Sequence, residues 1–428
     1  MIRWPHLSWP RRSDSSRTKR PLVKETQMLR LLRISAVALG AAAIGLGTAH
    51  AADVKIGALY PFSGGLAQLG DESFRGLQIA VEERNAAGGI NGNKIVLVKA
   101  DAADAEQAAI GAQHLISTEK VAAVFGSYAS GISLAATQVT DPAGVPYFEL
   151  GAVADTVTGR GFRHVFRSNP TARNFAERTI EAVVKVVAPG LKVDPKTLKL
   201  AIIYEDGPYG TLVGGYQKEE AKRLGLTVVE SQSYSAKSLD LASLVQRLKG
   251  AGADIVLQTS YKNDTILFFR QAATAGFKPK AFIGAGGGYS LNDTASALGT
   301  AMEGVFNVDF PQATMGEAGA PGLRSFVISY VRQYFMAPRS GHSLVNYVGA
   351  KAFLDILANA KSADKEKIRE AVLAYKKAPG TTATGWGFQF SETGQNQLAT
   401  ANLMQWQRGN PVTIYPASVA TGKPITRR

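Results

Sequence analysis

The sequence contains no cysteine, so neither a disulfide framework nor thiol chemistry is open to it. Histidine is scarce: five residues are scattered through 428, none in H-x-x-x-H or E-x-x-H spacing, which leaves no protein-only zinc site to expect. No G-x-S-x-G nucleophile elbow occurs, and Ser117-Thr118-Glu119-Lys120 fits S-x-x-K without the S-D-N and K-T-G partners it needs. Long apolar runs are also missing beyond the first fifty or so residues, which excludes a membrane-spanning helix in the body of the chain.

The one apolar run lies near the start. Met28-Leu29-Arg30-Leu31-Leu32-Arg33 precedes the apolar stretch 34–47 and then Thr48-Ala49-His50-Ala51. A positive region, an apolar region and an Ala-x-Ala site, in that order, predict a signal peptide over 28–51, cleaved after Ala51, and export to the periplasm. Residues 1–27 have no apolar periodicity and are expected to be an extension ahead of the natural start at Met28. Residues 1–51 hold nine Lys or Arg and two Asp or Glu, seven of the formal +14, which leaves +7 for the rest. Those basic residues are dispersed rather than clustered with aromatics, which argues against nucleic acid as a partner.

What remains is 45% apolar and 19% charged, enough for a large core. Short apolar runs at 54–59, 95–99, 121–125 and 147–150 alternate with helical patterns such as 73–86. After an extended run at 162–167, a long helix over 172–187 opens a second series with strands at 200–204, 226–230, 255–259, 281–284 and 305–308. This alternation predicts two α/β lobes, each a mostly parallel sheet covered by helices on both faces. Helices follow at 323–335, 343–360 and 365–375, then a hairpin pairing 386–390 with 401–407 and a polar tail.

In such sheets ligands collect at the carboxyl ends of strands. The stretch YPFSGGLAQLGDE, residues 60–72, has the G-x-x-x-x-G of a phosphate loop in Gly65 and Gly70, but Asp71 and Glu72 stand where Lys and Ser or Thr belong. These acids are expected in the first turn of a helix. Gly126-Ser127-Tyr128-Ala129-Ser130-Gly131 and Gly151-Ala152-Val153 are similar small-residue loops, and each taken alone is also what turn and N-cap chemistry produces. Tyr209 and Tyr261 each come just before a helix in the second series, where an apolar ring with a hydroxyl suits a cleft or caps a sheet edge. Gly284-Ala285-Gly286-Gly287-Gly288-Tyr289 fails the dinucleotide pattern at Tyr289.

In this order, Gly64-Gly65-Leu66-Ala67-Gln68-Leu69-Gly70, Asn85-Ala86-Ala87-Gly88-Gly89-Ile90-Asn91-Gly92, the 126–130 loop, the Tyr209-Gly210 turn and 240–249 resemble the periplasmic solute-binding proteins of ATP-driven importers, of the branched-chain amino acid type. The resemblance covers nearly all of the chain after residue 51. It implies the two-lobed type I periplasmic binding fold with three interlobe crossings, near Arg167, near Asp309-Phe310-Pro311 and near Pro379-Gly380. The first lobe would then be 52–167 with 312–378, and the second 168–311 with 379–428.

The resemblance further implies a monomer without cofactor or catalysis. It would capture an amino acid, amide or small carboxylate and deliver it to a membrane permease driven by a cytoplasmic ATPase. A ligand-sensing receptor module of the same fold is the alternative, and an exported α/β enzyme a third reading. By position, Ser130 with the backbone of Gly131, Gly151 and Val153 would cradle a ligand carboxylate, beside Ser127 and Ala152. Phe62, Leu69, Tyr209 and Tyr261 would wall the pocket. Two departures from the amino-acid binders stand out. Ala152-Val153 lacks a threonine hydroxyl, and Gln232 stands where an acid would meet a ligand ammonium, with Glu205 and Asp206 as nearby substitutes.

Overall fold

A computed structural model describes residues 53–426. The expected signal peptide and the extension expected before it lie outside the described residues. Five strands form a parallel sheet in the order β2-β1-β3-β4-β5: β1 (Val54–Tyr60), β2 (Ile95–Asp101), β3 (Ala123–Gly126), β4 (Tyr147–Glu149) and β5 (Val165–Arg167). Alternate strand residues face opposite layers. Ile56, Ala58, Phe125, Phe148 and Phe166 enter one core, with residues of α1 (Ala67–Ala86). Leu59, Val124, Tyr147 and Val165 enter the other, with residues of α2 (Ala105–Ser117) and α3 (Ser130–Thr140). Burial on both faces explains why these strands read as continuous apolar runs.

Helix α1 begins six residues before the expected 73, so the glycine-rich stretch is a short 3-10 turn (Gly64–Leu66) feeding straight into it. Asp71 and Glu72 are therefore second-turn residues. Asp71 pairs with Arg75 at 2.8 Å. Glu72 is fully buried and accepts hydrogen bonds from Tyr330 Oη at 2.6 Å, Arg339 N at 3.1 Å and the Ser343 hydroxyl. The acid that argued against a phosphate ties α1 to distant segments of the chain.

The second sheet has seven strands in the order β14-β13-β10-β9-β8-β6-β7. The expected helix 172–187 divides into α4 (Ala172–Ala182), a π-helical turn (Val183–Val187) and a last turn, α5 (Ala188–Leu191). Pro189 lacks an N-H, and the wider turn before it absorbs the break in the ladder. Then come β6 (Lys199–Glu205), α6 (Pro208–Arg223), β7 (Thr227–Tyr234), α7 (Ala242–Gly250), β8 (Ile255–Thr259), α8 (Lys262–Thr274), β9 (Ala281–Gly284), α9 (Asn292–Leu298) and β10 (Phe306–Asp309). Pairing is parallel from β7 through β10.

After β10 the chain returns to the first sheet. Helices α10 (Leu323–Tyr334), α11 (Gly341–Ala360) and α12 (Lys365–Ala374) supply Phe326, Tyr330, Leu344, Phe353 and Ile368 to the core that holds Phe125 and Phe148. The short strands β11 (Lys376–Lys377) and β12 (Phe388–Gln389) pair with each other, and Phe388 and Phe390 join that same core. Trp386, Ala399, Ala401 and Leu403 join the second core while Ala383, Phe388 and Phe390 join the first, so the chain passes between the two cores over 383–403.

The expected hairpin is wrong in its partners. β13 (Asn402–Gln407) pairs with β10 and with β14 (Asn410–Tyr415), a strand in what was taken for the polar tail. Its two-residue turn is Arg408-Gly409, with φ of 53° and 76°. Two positive φ values are the geometry a two-residue hairpin prefers, and glycine at the second costs nothing there.

Candidate functional site

A small cavity opens between the two lobes. From the first lobe it is lined by Tyr128, Gly151, Val153 and His342, and from the second by Phe175, Tyr209, Tyr261, Gly286 and Gly287, with Asp309 and Phe310 at a crossing. Every one of these residues lies at a strand end or in the first turn of a helix. The fold thus gathers residues more than two hundred positions apart into one place.

The walls are aromatic. Tyr209 and Tyr261 are 5.5 Å apart, centroid to centroid. His342 lies edge-on to both Tyr128 at 5.6 Å and Phe310 at 5.0 Å, and Phe310 meets Phe175 at 5.4 Å. The Tyr209 hydroxyl donates to the carbonyl of Ala285, which fixes the ring against the β9 loop. Gly286, at φ 83°, is where the wall must be bare: a Cβ there would sit 3.0 Å from the Phe175 ring and 3.5 Å from the Tyr209 hydroxyl. The glycines that failed as a nucleotide loop serve here as cavity wall.

Asp309 is fully buried. Its Oδ1 accepts from Phe310 N at 2.7 Å, and its Oδ2 from Asn307 Nδ2 at 3.0 Å and Gln312 Nε2 at 3.1 Å. Burial pushes its carboxyl up to about 7 in spite of these donors. Burial likewise holds the His342 imidazole down at about 3, so it is neutral at ordinary pH.

For Asp309, the folded chain keeps a proton that the unfolded chain has released above about pH 4. Its contribution to stability is therefore present at low pH and is lost as pH rises to about 7. His342 acts in the opposite sense. The expected result is that the unfolding free energy of wild type minus that of Asp309→Asn falls between about pH 4 and about pH 8, a difference in which the His342 contribution cancels. Urea titrations across that range check it, and a rising difference contradicts the assignment.

Of the residues expected at the site, Gly151, Val153, Tyr209 and Tyr261 line the cavity, and the others do not. Phe62 is half-buried and packs on Tyr60 and Phe74 at the edge of the first core. Leu69 is buried in the cluster behind Tyr128 instead of facing a solute. The Ser127 hydroxyl bonds that of Ser133 at 2.8 Å, and Ser130 Oγ accepts from Ala154 N at 3.1 Å, so both brace the loops from inside. A Cβ added at Gly131 would lie 4.0 Å from the Pro208 ring of the second lobe.

Gln232 lies on the edge strand β7, where its side chain accepts from Arg247. Glu205 spends both oxygens on the amides of Gly207 and Gly210, at 2.7 and 2.6 Å, which fastens the start of α6, and Asp206 is exposed.

Part of the expected carboxylate cradle is taken up from within. Glu149, fully buried at the end of β4, accepts from the amides of Leu150 at 3.0 Å, Gly151 at 2.8 Å and Ala152 at 2.6 Å. Burial raises its carboxyl, while these amides and the charge of nearby Arg167 act to lower it. Arg167, also fully buried, donates to the carbonyls of Ala152 at 3.2 Å and Ala154 at 2.6 Å. Of the amides expected to cradle a ligand carboxylate, those of Gly131, Gly151 and Val153, the Glu149 side chain holds that of Gly151.

Sequence reasoning missed Tyr128 as a wall, together with Phe175, Gly286, Gly287, Asp309, Phe310 and His342. Tyr128 stood inside a loop already singled out, and Asp309-Phe310 at an expected crossing. Phe175 and His342, each in a first helical turn, carried no local signal.

Two lobes with mostly parallel sheets and an aromatic cavity at their facing strand ends define a two-lobed solute-binding protein. A family model described as "Periplasmic binding protein" matches residues 53–411, and the chain belongs to that family. It is 52% identical over 386 residues to Leu/Ile/Val-binding protein homolog 7 of Brucella suis biovar 1 (strain 1330), covering 90% of this chain and 97% of that one. Among solved structures it is similar in fold to a leucine-binding protein of Thermotoga maritima MSB8, with TM-score 0.75 and 23% identity over 86% of this chain and 98% of that one. It is also similar in fold to a solute-binding protein of an ABC transporter from R. palustris in complex with benzoate, with TM-score 0.72 and 20% identity over 87% and 98% of the two chains.

Proposed function

We propose that this chain captures a small solute in its interlobe cavity in the periplasm and hands it to a membrane permease driven by a cytoplasmic ATPase, without changing it chemically. The observation that carries the reading is the cavity itself, built from strand ends of both lobes, so that a bound solute touches both and favours their closed arrangement. The family and the relative named for leucine, isoleucine and valine support the transport role. Among the described residues no group of His, Cys, Asp and Glu could hold a metal, and the buried acids are engaged in fixing backbone. The protein acts as a monomer that reaches the periplasm through cleavage of its leader after Ala51.

A thermal-shift panel of amino acids, amides, amines, small carboxylates and aromatic acids tests this. A true ligand at a hundred times its dissociation constant stabilises by about 2.7 kcal/mol and raises Tm accordingly. Tyr209→Ala removes one wall and is expected to weaken binding about 10- to 100-fold in calorimetry. A panel without a hit, from a protein that also carries no co-purified solute, contradicts the reading, as does release of the solute in chemically altered form.

A further inference from the structure

The charge lining the cavity has one sign. Asp309 is the only lining residue that is acidic, and none is Lys or Arg. Its three donors, Phe310 N, Asn307 Nδ2 and Gln312 Nε2, are all neutral, and among the described residues it has no salt bridge. Two further buried acids stand behind the tyrosine walls: Asp309, Glu205 and Asp264 act together on the Tyr209 hydroxyl, and Glu205 and Asp264 on that of Tyr261. Asp264 is satisfied by Tyr234 Oη and Tyr261 N, at 2.8 and 2.9 Å, again neutral donors. The basic groups nearby lie outside the lining. Lys262 gives its ammonium to Gln68 Oε1 of the opposite lobe at 2.6 Å, and Arg167 holds the carbonyls of Ala152 and Ala154 through Nη1 and Gln395 through Nε, with its Nη2 unpartnered among the described residues.

The anionic end of an amino acid finds few donors. The amides of Leu150, Gly151 and Ala152 are held by Glu149, and that of Ala154 by Ser130, which leaves the amide of Val153 on this side of the lining. What the cavity offers instead is the faces and edges of Tyr128, Phe175, Tyr209, Tyr261 and Phe310, with a neutral imidazole. Aromatic faces attract a cation most strongly where water is excluded, and Asp309, once ionised above the value of about 7 to which burial raises it, adds a carboxylate that a cation would pair.

We propose that the solute is a small organic cation lacking a carboxylate, an alkyl- or quaternary ammonium, held by the aromatic walls against Asp309. This rests on the interlobe cavity being the solute site.

Calorimetry on the purified protein at pH 8, with choline, tetramethylammonium and isoamylamine set against leucine, isobutyramide and benzoate, tests it. At least one cation is expected to bind 100-fold more tightly than leucine, the amide or benzoate. Asp309→Asn is expected to weaken that binding at least tenfold. Tyr261→Leu, which leaves Asp309 and its donors in place, is expected to do the same and decides the matter if the first variant does not fold. Leucine, isobutyramide or benzoate binding more tightly than every cation, with that binding lost in Val153→Trp, overturns the cationic ligand and leaves solute capture standing. An anionic or neutral compound released from the protein on denaturation and identified by mass spectrometry does likewise. Absence of binding by all six probes, together with no released compound, overturns both.

Discussion

Replacing Glu149 with alanine is expected to lower the unfolding free energy by about 3–5 kcal/mol, while Glu149→Gln costs about 1 kcal/mol. The difference arises because glutamine keeps an oxygen near the amides of Leu150, Gly151 and Ala152, whereas alanine leaves three buried donors without an acceptor. Each orphaned donor costs about 1–3 kcal/mol, and relief from burying a carboxylate offsets part of the sum. Arg167, beside Glu149 in the register of β4 and β5, keeps its own contacts to Ala152 and Ala154 in both variants. Urea unfolding checks this. If the two variants unfold alike, the amides are not what Glu149 is there to hold. The loop it fixes also forms the first-lobe wall, so Glu149→Ala should weaken solute binding as well.

The second large effect is expected from Val153→Trp. Val153 is buried in the cavity wall, and an indole there takes up space that a solute would need. Binding should fall at least 100-fold, about 2.8 kcal/mol. Stability should fall by the ~1–3 kcal/mol typical of overpacking. Calorimetry and thermal unfolding of the same preparation separate the two. A Val153→Trp protein that binds as wild type does would place the solute elsewhere.

Much of the fold was legible because its strands are buried on both faces. Ile255–Thr259 and Ala281–Gly284 were expected at the boundaries the structure gives them, since a continuous apolar run bounded by turns has few other readings. The terminal hairpin was misread for a local reason. Its second strand, Asn410–Tyr415, is half polar and includes a proline, and its turn signal is confined to Arg408-Gly409. The start of α1 was missed because two glycines and a proline precede it. Its burial is decided by contacts with α10 and α11, more than 250 residues away in sequence.

The site was legible only in part, for a similar reason. Tyr209 and Tyr261 announce themselves beside strand ends. Asp309 and His342 become neighbours of those tyrosines only once the chain has crossed between lobes. The carboxylate cradle was read by its small residues, and what it holds was decided by Glu149, a residue that looked like the end of an ordinary strand. Spacing reports which amides are exposed to a partner, and it does not report whether the partner is the protein's own side chain.

The most direct measurement is a crystal structure of the protein with the tightest solute from the binding panel. The expected result is solute density enclosed by both lobes, in contact with Tyr209, Tyr261 and Asp309. Solute bound to one lobe alone, or on the outer surface with the cavity empty, would contradict capture between the lobes.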